Sequence, residues 1–263
     1  MKISQKGPFQ KGYNAIVKEE VNKDMGMDFG VLCMDQGDVV EYNEPKEVVY
    51  TLTNGVITFE FEGKKETADR PDCFHNDPIL LHVPENTPVK ITCLSDHAEL
   101  SIQRTTNKRH FAPKLYRAAD CLCPSEERGK GTLGEASTRI VRTFFDRSTC
   151  PETNFFIGEV VNFPGKWSSF PPHSHVEPEI YFYKFLPENG YGFGEFGDEA
   201  YKIKHNDLTG MPDEKTHSQC VAPGYAEYYL WVIRLQDDKD IVTTVVPEYA
   251  WTTEPGAKYF PEI

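Results

Sequence analysis

No run in this chain approaches the ~18 consecutive apolar residues of a membrane-spanning helix. The opening Met1-Lys2-Ile3-Ser4-Gln5-Lys6-Gly7 also lacks the apolar core of a signal peptide. A cytoplasmic protein with no membrane partner is the expectation. Cysteine is present without a pattern: Cys33, Cys73, Cys93, Cys121, Cys123, Cys150 and Cys220 are odd in number and include no Cys-x-x-Cys pair. Neither a disulfide framework nor a zinc ribbon follows. Positive charge is scarce, with 28 Lys and Arg against 41 Asp and Glu and a net charge of −13, which argues against nucleic acid or an anionic membrane as partner. An anionic small molecule would need locally placed Arg or Lys. Nucleotide and flavin motifs are missing too, since Arg128-Gly129-Lys130-Gly131 is followed by neither a Walker lysine nor a helical pattern. That weighs against hydride chemistry through a bound cofactor.

What the 263 residues do contain is a succession of short β-branched and aromatic runs broken by turn residues. In the first half these include Glu47-Val48-Val49-Tyr50-Thr51-Leu52 and Val56-Ile57-Thr58-Phe59-Glu60-Phe61, and the Asn54-Gly55 between them reads as a hairpin turn. Others fall at 79–81, 89–92, 99–102, 139–145, 155–161, 191–196, 201–204 and 228–233. Many short strands with regular turns predict an all-β sandwich or barrel, and the length allows two. A faint internal repeat supports two copies. Pro84 and Val89 stand 128 positions before Pro212 and His217, as Ala98-Glu99 does before Ala226-Glu227. The first barrel is expected over 1–110. Residues 111–137 are expected to be linker and loop, with a short helix near Lys114 to Ala119 and a loop over the active site. The second barrel would fill 138–263, with a tail around 247–252 packing across a barrel mouth or a subunit interface.

The most chemical stretch is Pro171-Pro172-His173-Ser174-His175-Val176-Glu177-Pro178-Glu179-Ile180-Tyr181-Phe182-Tyr183. Residues two apart on a strand share a face, so His173 and His175 can hold one ion, and Glu179 opens the next strand in the same parity. Two imidazoles and a carboxylate suit Zn, Mn, Fe or Ni, and a further ligand must come from elsewhere. His217 is the candidate, at the end of the turn Gly210-Met211-Pro212-Asp213-Glu214-Lys215-Thr216 and just ahead of a β-prone aromatic run. If Glu47 answers to Glu179 in the repeat, Glu41 and Asn43 stand where the histidine pair would be, and Val89 where His217 is. Only the second barrel is then expected to hold metal.

These words resemble the two metal motifs of the cupins, a histidine pair followed by glutamate and a proline-containing turn ending in histidine. Thr138-Arg139-Ile140-Val141-Arg142-Thr143, Gly158-Glu159-Val160-Val161-Asn162-Phe163-Pro164-Gly165-Lys166-Trp167 and Ala222-Pro223-Gly224-Tyr225 are similar to the family of 5-deoxy-glucuronate and 5-keto-4-deoxyuronate isomerases. The likeness is densest from about Arg128 to Arg234. It implies a bicupin, two double-stranded β-helix (jelly-roll) barrels, with a divalent metal for which zinc is the first expectation. It also implies conversion of 5-deoxy-D-glucuronate to 2-deoxy-5-keto-D-gluconate in inositol catabolism. Alternatives are the 5-keto-4-deoxyuronate reaction, a cupin dioxygenase, or a sugar-binding cupin without activity. Glu214 replaces the glycine that cupins often place in the second motif.

An ion on His173, His175, Glu179 and His217 would leave positions open for a carbonyl and a neighbouring hydroxyl, which suits aldose–ketose isomerisation without redox change. The base that moves the proton between carbons should share that face, making Tyr183, Tyr181 and Glu177 the candidates. Simple barrel packing is the competing expectation for both tyrosines, and Glu177 doubles as a reserve ligand. A uronate carboxylate is best held by an arginine fork. Arg139 and Arg142 are three apart, so on one strand only one should face the pocket, with Arg139 favoured and Lys166 next. The partners expected are therefore a small uronate and further copies of the chain in a homo-oligomer.

Overall fold

The strongest hairpin signal in the chain is in fact a bend. Glu47–Phe61 is a single 15-residue strand whose first part pairs with Leu80–Val83 and His97–Thr105, and whose second part pairs with Lys64–Arg70 and Val89–Cys93. Its register shifts between Leu52 and Asn54, and Gly55 has φ +103. A Cβ there would lie 2.6 Å from the His97 carbonyl oxygen and 2.7 Å from Ala98 Cα. The Asn-Gly pair therefore carries the strand round a barrel corner, a use of strand glycine distinct from a two-residue turn.

The computed structural model describes residues 1–236, 239–258, 260 and 261. It consists of two antiparallel barrels, the all-β bicupin architecture expected from the sequence. The second barrel is built from two sheets. One has seven strands in the order Lys2–Ile3, Leu208–Met211, Glu179–Leu186, Ala226–Arg234, Phe155–Asn162, Arg139–Phe145 and Cys123–Arg128. The other has five: Glu199–Lys204, Tyr191–Phe196, His217–Val221, Trp167–Ser174 and Thr244–Val245. Alternation sorts the side chains of the large sheet. Tyr181, Tyr183, Tyr229 and Trp231 point into the barrel with Phe196, Ile203 and Val221 of the small sheet. Ile180, Phe182, Tyr228, Leu230 and Val232 point outward and pack against Val17, Met25, Phe29 and Val31 of the first barrel. Both faces of the large sheet are thus apolar, which explains the near-continuous hydrophobic runs in its strands.

Segment 111–137 is not the linker and loop expected. Lys114–Tyr116 is a strand on the first barrel, paired with Leu80–Val83, and Cys123–Arg128 is an edge strand on the second, paired with Arg139–Phe145. In place of the helix expected near Lys114 there is only a 3-10 turn, Ala118–Asp120. The chain start also crosses over: Lys2–Ile3 pairs with Leu208–Met211, so a division by sequence alone misplaces the first strand.

The proposed equivalence of Glu47 and Glu179 fails by parity. Glu47 faces the interface between barrels, where it meets His82 Nε2 at 2.7 Å, the Thr153 hydroxyl at 2.6 Å and the Asn154 amide at 3.0 Å. The interior of the first barrel is lined instead by Val48, Tyr50, Phe59, Val89 and Ile91.

Candidate metal centre

His173 and His217 stand opposite each other where Trp167–Ser174 pairs with His217–Val221, and Glu179 begins the adjacent strand of the large sheet. The fold thus brings His217, 38 positions beyond Glu179 in the chain, to the same point as the histidine–glutamate stretch. Glu179 Oε2 lies 3.0 Å from His175 Nε2 and 3.2 Å from His217 Nε2. Ligand atoms of His175, Glu179 and His217 all lie within 4.8 Å of one another, the one such group among the described residues. His173 borders this group. Its ring centroid is 4.5 Å from that of His217 in an edge-on arrangement, but its nitrogens stay outside the tight cluster.

Backbone hydrogen bonds set the tautomers. His173 Nδ1 donates to Pro171 O at 3.0 Å, His175 Nδ1 to Glu177 O at 2.9 Å, and His217 Nδ1 to Lys215 O at 3.2 Å. Each Nδ1 therefore carries a proton, leaving Nε2 to serve as ligand, the orientation that metal-binding histidines take from their outer partners. A lone pair on Nε2 would face a carboxylate oxygen at close range. That contact repels unless a cation lies between them, either a proton or a metal ion. His217 Nε2 is buried and makes no hydrogen bond. The donor set fits a divalent ion.

Charge and burial respond accordingly. Burial alone would raise the Glu179 carboxyl, yet the imidazoles of His175 and His217, 3.0 and 3.2 Å from its Oε2, hold it down at about 2. His175 is pushed up: burial opposes its charge, but Glu179 outweighs that. His173 goes down, through burial first and the neighbouring His217 second.

The cluster forms one wall of a cavity of about 430 Å³, within the roughly 300–1,000 Å³ usual for small-molecule sites. Arg139, Tyr181, Tyr229, Trp231 and Ser169 line it. Ser169 has φ +53, an uncommon conformation for a non-glycine residue, and its hydroxyl lies 3.3 Å from the Tyr181 hydroxyl. Tyr229 is held by Ser168 at 2.5 Å.

The other residues singled out in the sequence fall elsewhere. Tyr183 is buried beneath the cavity, its hydroxyl donating to Gln219 Oε1 at 2.6 Å. Glu177 sits behind His175, in the bend between strands where the assumed extended parity does not hold, and its Oε2 is 3.9 Å from His175 Nδ1. Lys166 lies half-buried in the turn before Trp167–Ser174 and does not line the cavity. Arg142 points to the opposite face, into the barrel interface, where Glu159 Oε1 accepts from it at 2.8 Å. Of the bases proposed for the substrate, Arg139 alone lines the cavity. Sequence reasoning missed Arg128, Ser169, Tyr229 and Trp231. Arg128 was hidden in the segment taken for linker, and the other three carry no motif.

Fold and site together define a two-barrel cupin whose described residues gather a histidine–glutamate cluster in the second barrel. The chain belongs to the KduI/IolB family, whose model matches residues 3–252. Curated relatives named 5-deoxy-glucuronate isomerase include that of Geobacillus kaustophilus, 26% identical over 224 residues and 78% of each chain. That of Halalkalibacterium halodurans is 26% identical over 190 residues, 65% of this chain and 70% of the relative. Among solved structures, an IolB-like protein from Salmonella typhimurium LT2 superposes with TM-score 0.83 at 20% identity, over 96% of this chain and 99% of the other. A variant of Bacillus subtilis oxalate decarboxylase gives TM-score 0.68 at 13% identity, over 97% of this chain and 81% of the other, and that enzyme carries Mn(II) centres.

Proposed function

We propose that this protein is an aldose–ketose isomerase acting on a uronate, with 5-deoxy-D-glucuronate, the substrate in its relatives' name, as the first candidate and 2-deoxy-5-keto-D-gluconate as product. One observation carries the reading: the imidazole–carboxylate cluster shares its cavity with a buried arginine that has no carboxylate partner. Arg139 is 7% exposed, and its guanidinium donates to the Ser137 carbonyl at 2.6 Å. Among the described residues no Asp or Glu lies within ion-pair range of it, whereas Arg70 and Arg142 share Glu159 and Arg104 has Glu44. A buried charge without a counter-charge is costly, so Arg139 is suited to bind the carboxylate of a substrate.

His175, Glu179 and His217, with His173 beside them, are the residues that would hold a divalent ion. Zinc suits the donor set, as do manganese, iron and nickel. A bound ion would supply Lewis acidity, polarising a carbonyl and an adjacent hydroxyl. Tyr181 stands over this wall with its ring 5.9 Å from His217. Its phenol is pushed well above the usual range, by burial first and the Glu179 charge second. It is therefore a proton donor toward a substrate oxygen at neutral pH, and the role of base first assigned to it gives way to that of acid. Phe156, Trp231 and Ile233 supply the apolar walls that limit water.

The test is NMR of 5-deoxy-glucuronate deuterated at C2, incubated with metal-replete protein. Ketose should form, with label lost to solvent or moved to C1. Elemental analysis should find about one divalent ion per chain, falling to none in a His175→Ala, Glu179→Gln double variant. Oxygen uptake in place of isomerisation would establish the dioxygenase reading.

A further inference from the structure

Arg139 does not face the cavity alone. The antiparallel pairing of Cys123–Arg128 with Arg139–Phe145 sets Arg128 directly opposite Arg139, and both side chains line the cavity. Directly opposed residues in such a pair bring their Cβ atoms to roughly 5 Å on the same face, and like charges so placed destabilise the sheet. Burial pulls Arg139 below its usual range; Arg128 adds to that lowering, while Tyr229 and the Glu126 charge oppose it. Arg128 is accommodated by Glu126, whose Oε2 accepts from it at 2.7 Å. Its side chain is still 49% exposed, so it is free to reorient. Two guanidiniums, one buried with no ion pair among the described residues and one on a short tether, line a cavity whose other walls are the imidazole–carboxylate cluster and a set of aromatic, aliphatic and hydroxyl side chains. That arrangement lacks one component, an anion between them.

We propose that Arg128 and Arg139 form a two-guanidinium clamp that selects substrates ending in a carboxylate, and that Glu126 holds Arg128 in place until the substrate carboxylate displaces it. The proposal rests on the isomerase reading for the identity of the substrate, but not for the existence of the anion site. In an acidic protein, such a clamp confines positive potential to the one place where an anion must enter. Glu126 also carries a specificity role. A neutral sugar offers nothing to exchange for the Arg128–Glu126 contact, so it binds to an enzyme whose arginine is still engaged. A uronate replaces one carboxylate by another.

The experiment compares Arg128→Gln and Glu126→Gln with the unaltered protein, using steady-state kinetics on 5-deoxy-glucuronate and calorimetric binding of D-glucuronate to metal-free protein. Arg128→Gln should raise KM and Kd roughly 10- to 100-fold, the loss expected when hydrogen bonds to a charged group are removed. It should leave kcat within about threefold, because the clamp acts far from the reacting carbons and binds ground and transition states alike. Glu126→Gln should shift KM and Kd the opposite way, since Arg128 then has no competitor. The Kd of the matching neutral aldose should be unmoved by Arg128→Gln. Unchanged uronate Kd in Arg128→Gln, with circular dichroism showing native structure, would overturn the clamp. So would tighter uronate binding in that variant. If the unaltered metal-replete protein fails to isomerise any uronate, the isomerase reading falls, and the Kd values alone decide the clamp.

Discussion

Glu227 shows what one buried carboxyl does to stability when it has no cation. It is 0% exposed on the inner face of the second barrel, with Asn162 Nδ2 donating at 3.3 Å and its Oε1 unsatisfied. Burial pushes it up to about 8 despite the opposing Asn162 bond. An unfolded glutamate titrates near ~4.3. Below that value both states are protonated and the full stability is present. As pH rises toward about 8, the unfolded chain releases a proton that the folded chain keeps, and stability falls by about 1.4 kcal/mol per pH unit. Urea unfolding of metal-free protein at about pH 5.5 and about pH 7.5 should show this loss, and Glu227→Gln should remove that part of the slope. An identical slope in the variant would show that Glu227 is charged when folded.

At the scale of elements, the tail shapes the site more than its position suggests. Thr244–Val245 adds an edge strand to Trp167–Ser174, pairing with His173 and Ser174, and the Val246 amide donates to Pro172 O at 2.9 Å. Ile241, Thr243 and Val245 line the cavity. The strand is two residues long and exposed, so little holds it beyond those contacts, and such elements open at low cost. Ending the chain after Asp240 should leave the metal ligands in place but remove a wall. Metal content should persist while KM rises roughly tenfold, as enclosure of the substrate is lost. Loss of metal on truncation, or an unaltered KM, would mean that the tail supports the site in another way.

At the scale of the whole molecule, the barrels are joined by an ionic cluster inside an apolar interface. Arg70 of the first barrel, 0% exposed, donates to Glu159 Oε1 at 2.6 Å, and Arg142 reaches the same oxygen at 2.8 Å. Tyr228 donates to Glu159 Oε2 at 2.9 Å, and Arg70 caps the Leu52 carbonyl at 2.8 Å. Glu159→Gln would leave two buried guanidiniums facing a neutral amide, at a cost of about 3–5 kcal/mol in chemical denaturation. The triple change Arg70→Met, Arg142→Met, Glu159→Gln should recover most of that loss, because no buried charge is then left unpaired. A triple variant less stable than Glu159→Gln alone would show that the cluster contributes net stability.

Local pattern was enough to read the all-β class, the strands of the second barrel and the stretches that bring His175, Glu179 and His217 together with His173 at their border, because strand parity and turn punctuation are written in neighbouring residues. The family likeness rested on the same contiguous words. Three matters needed the tertiary structure. Asn54-Gly55 reads as a turn from its own residues, and only the close approach of His97 and Ala98 makes it a corner. Arg139 and Arg142 look alike in sequence, yet one faces a cavity and the other a partner sheet, a choice made by packing on both sides of the large sheet. Arg128 lay in a segment without hydrophobic periodicity, since an exposed edge strand needs none. Its place opposite Arg139 comes from a pairing register between strands, which no single stretch of the chain encodes.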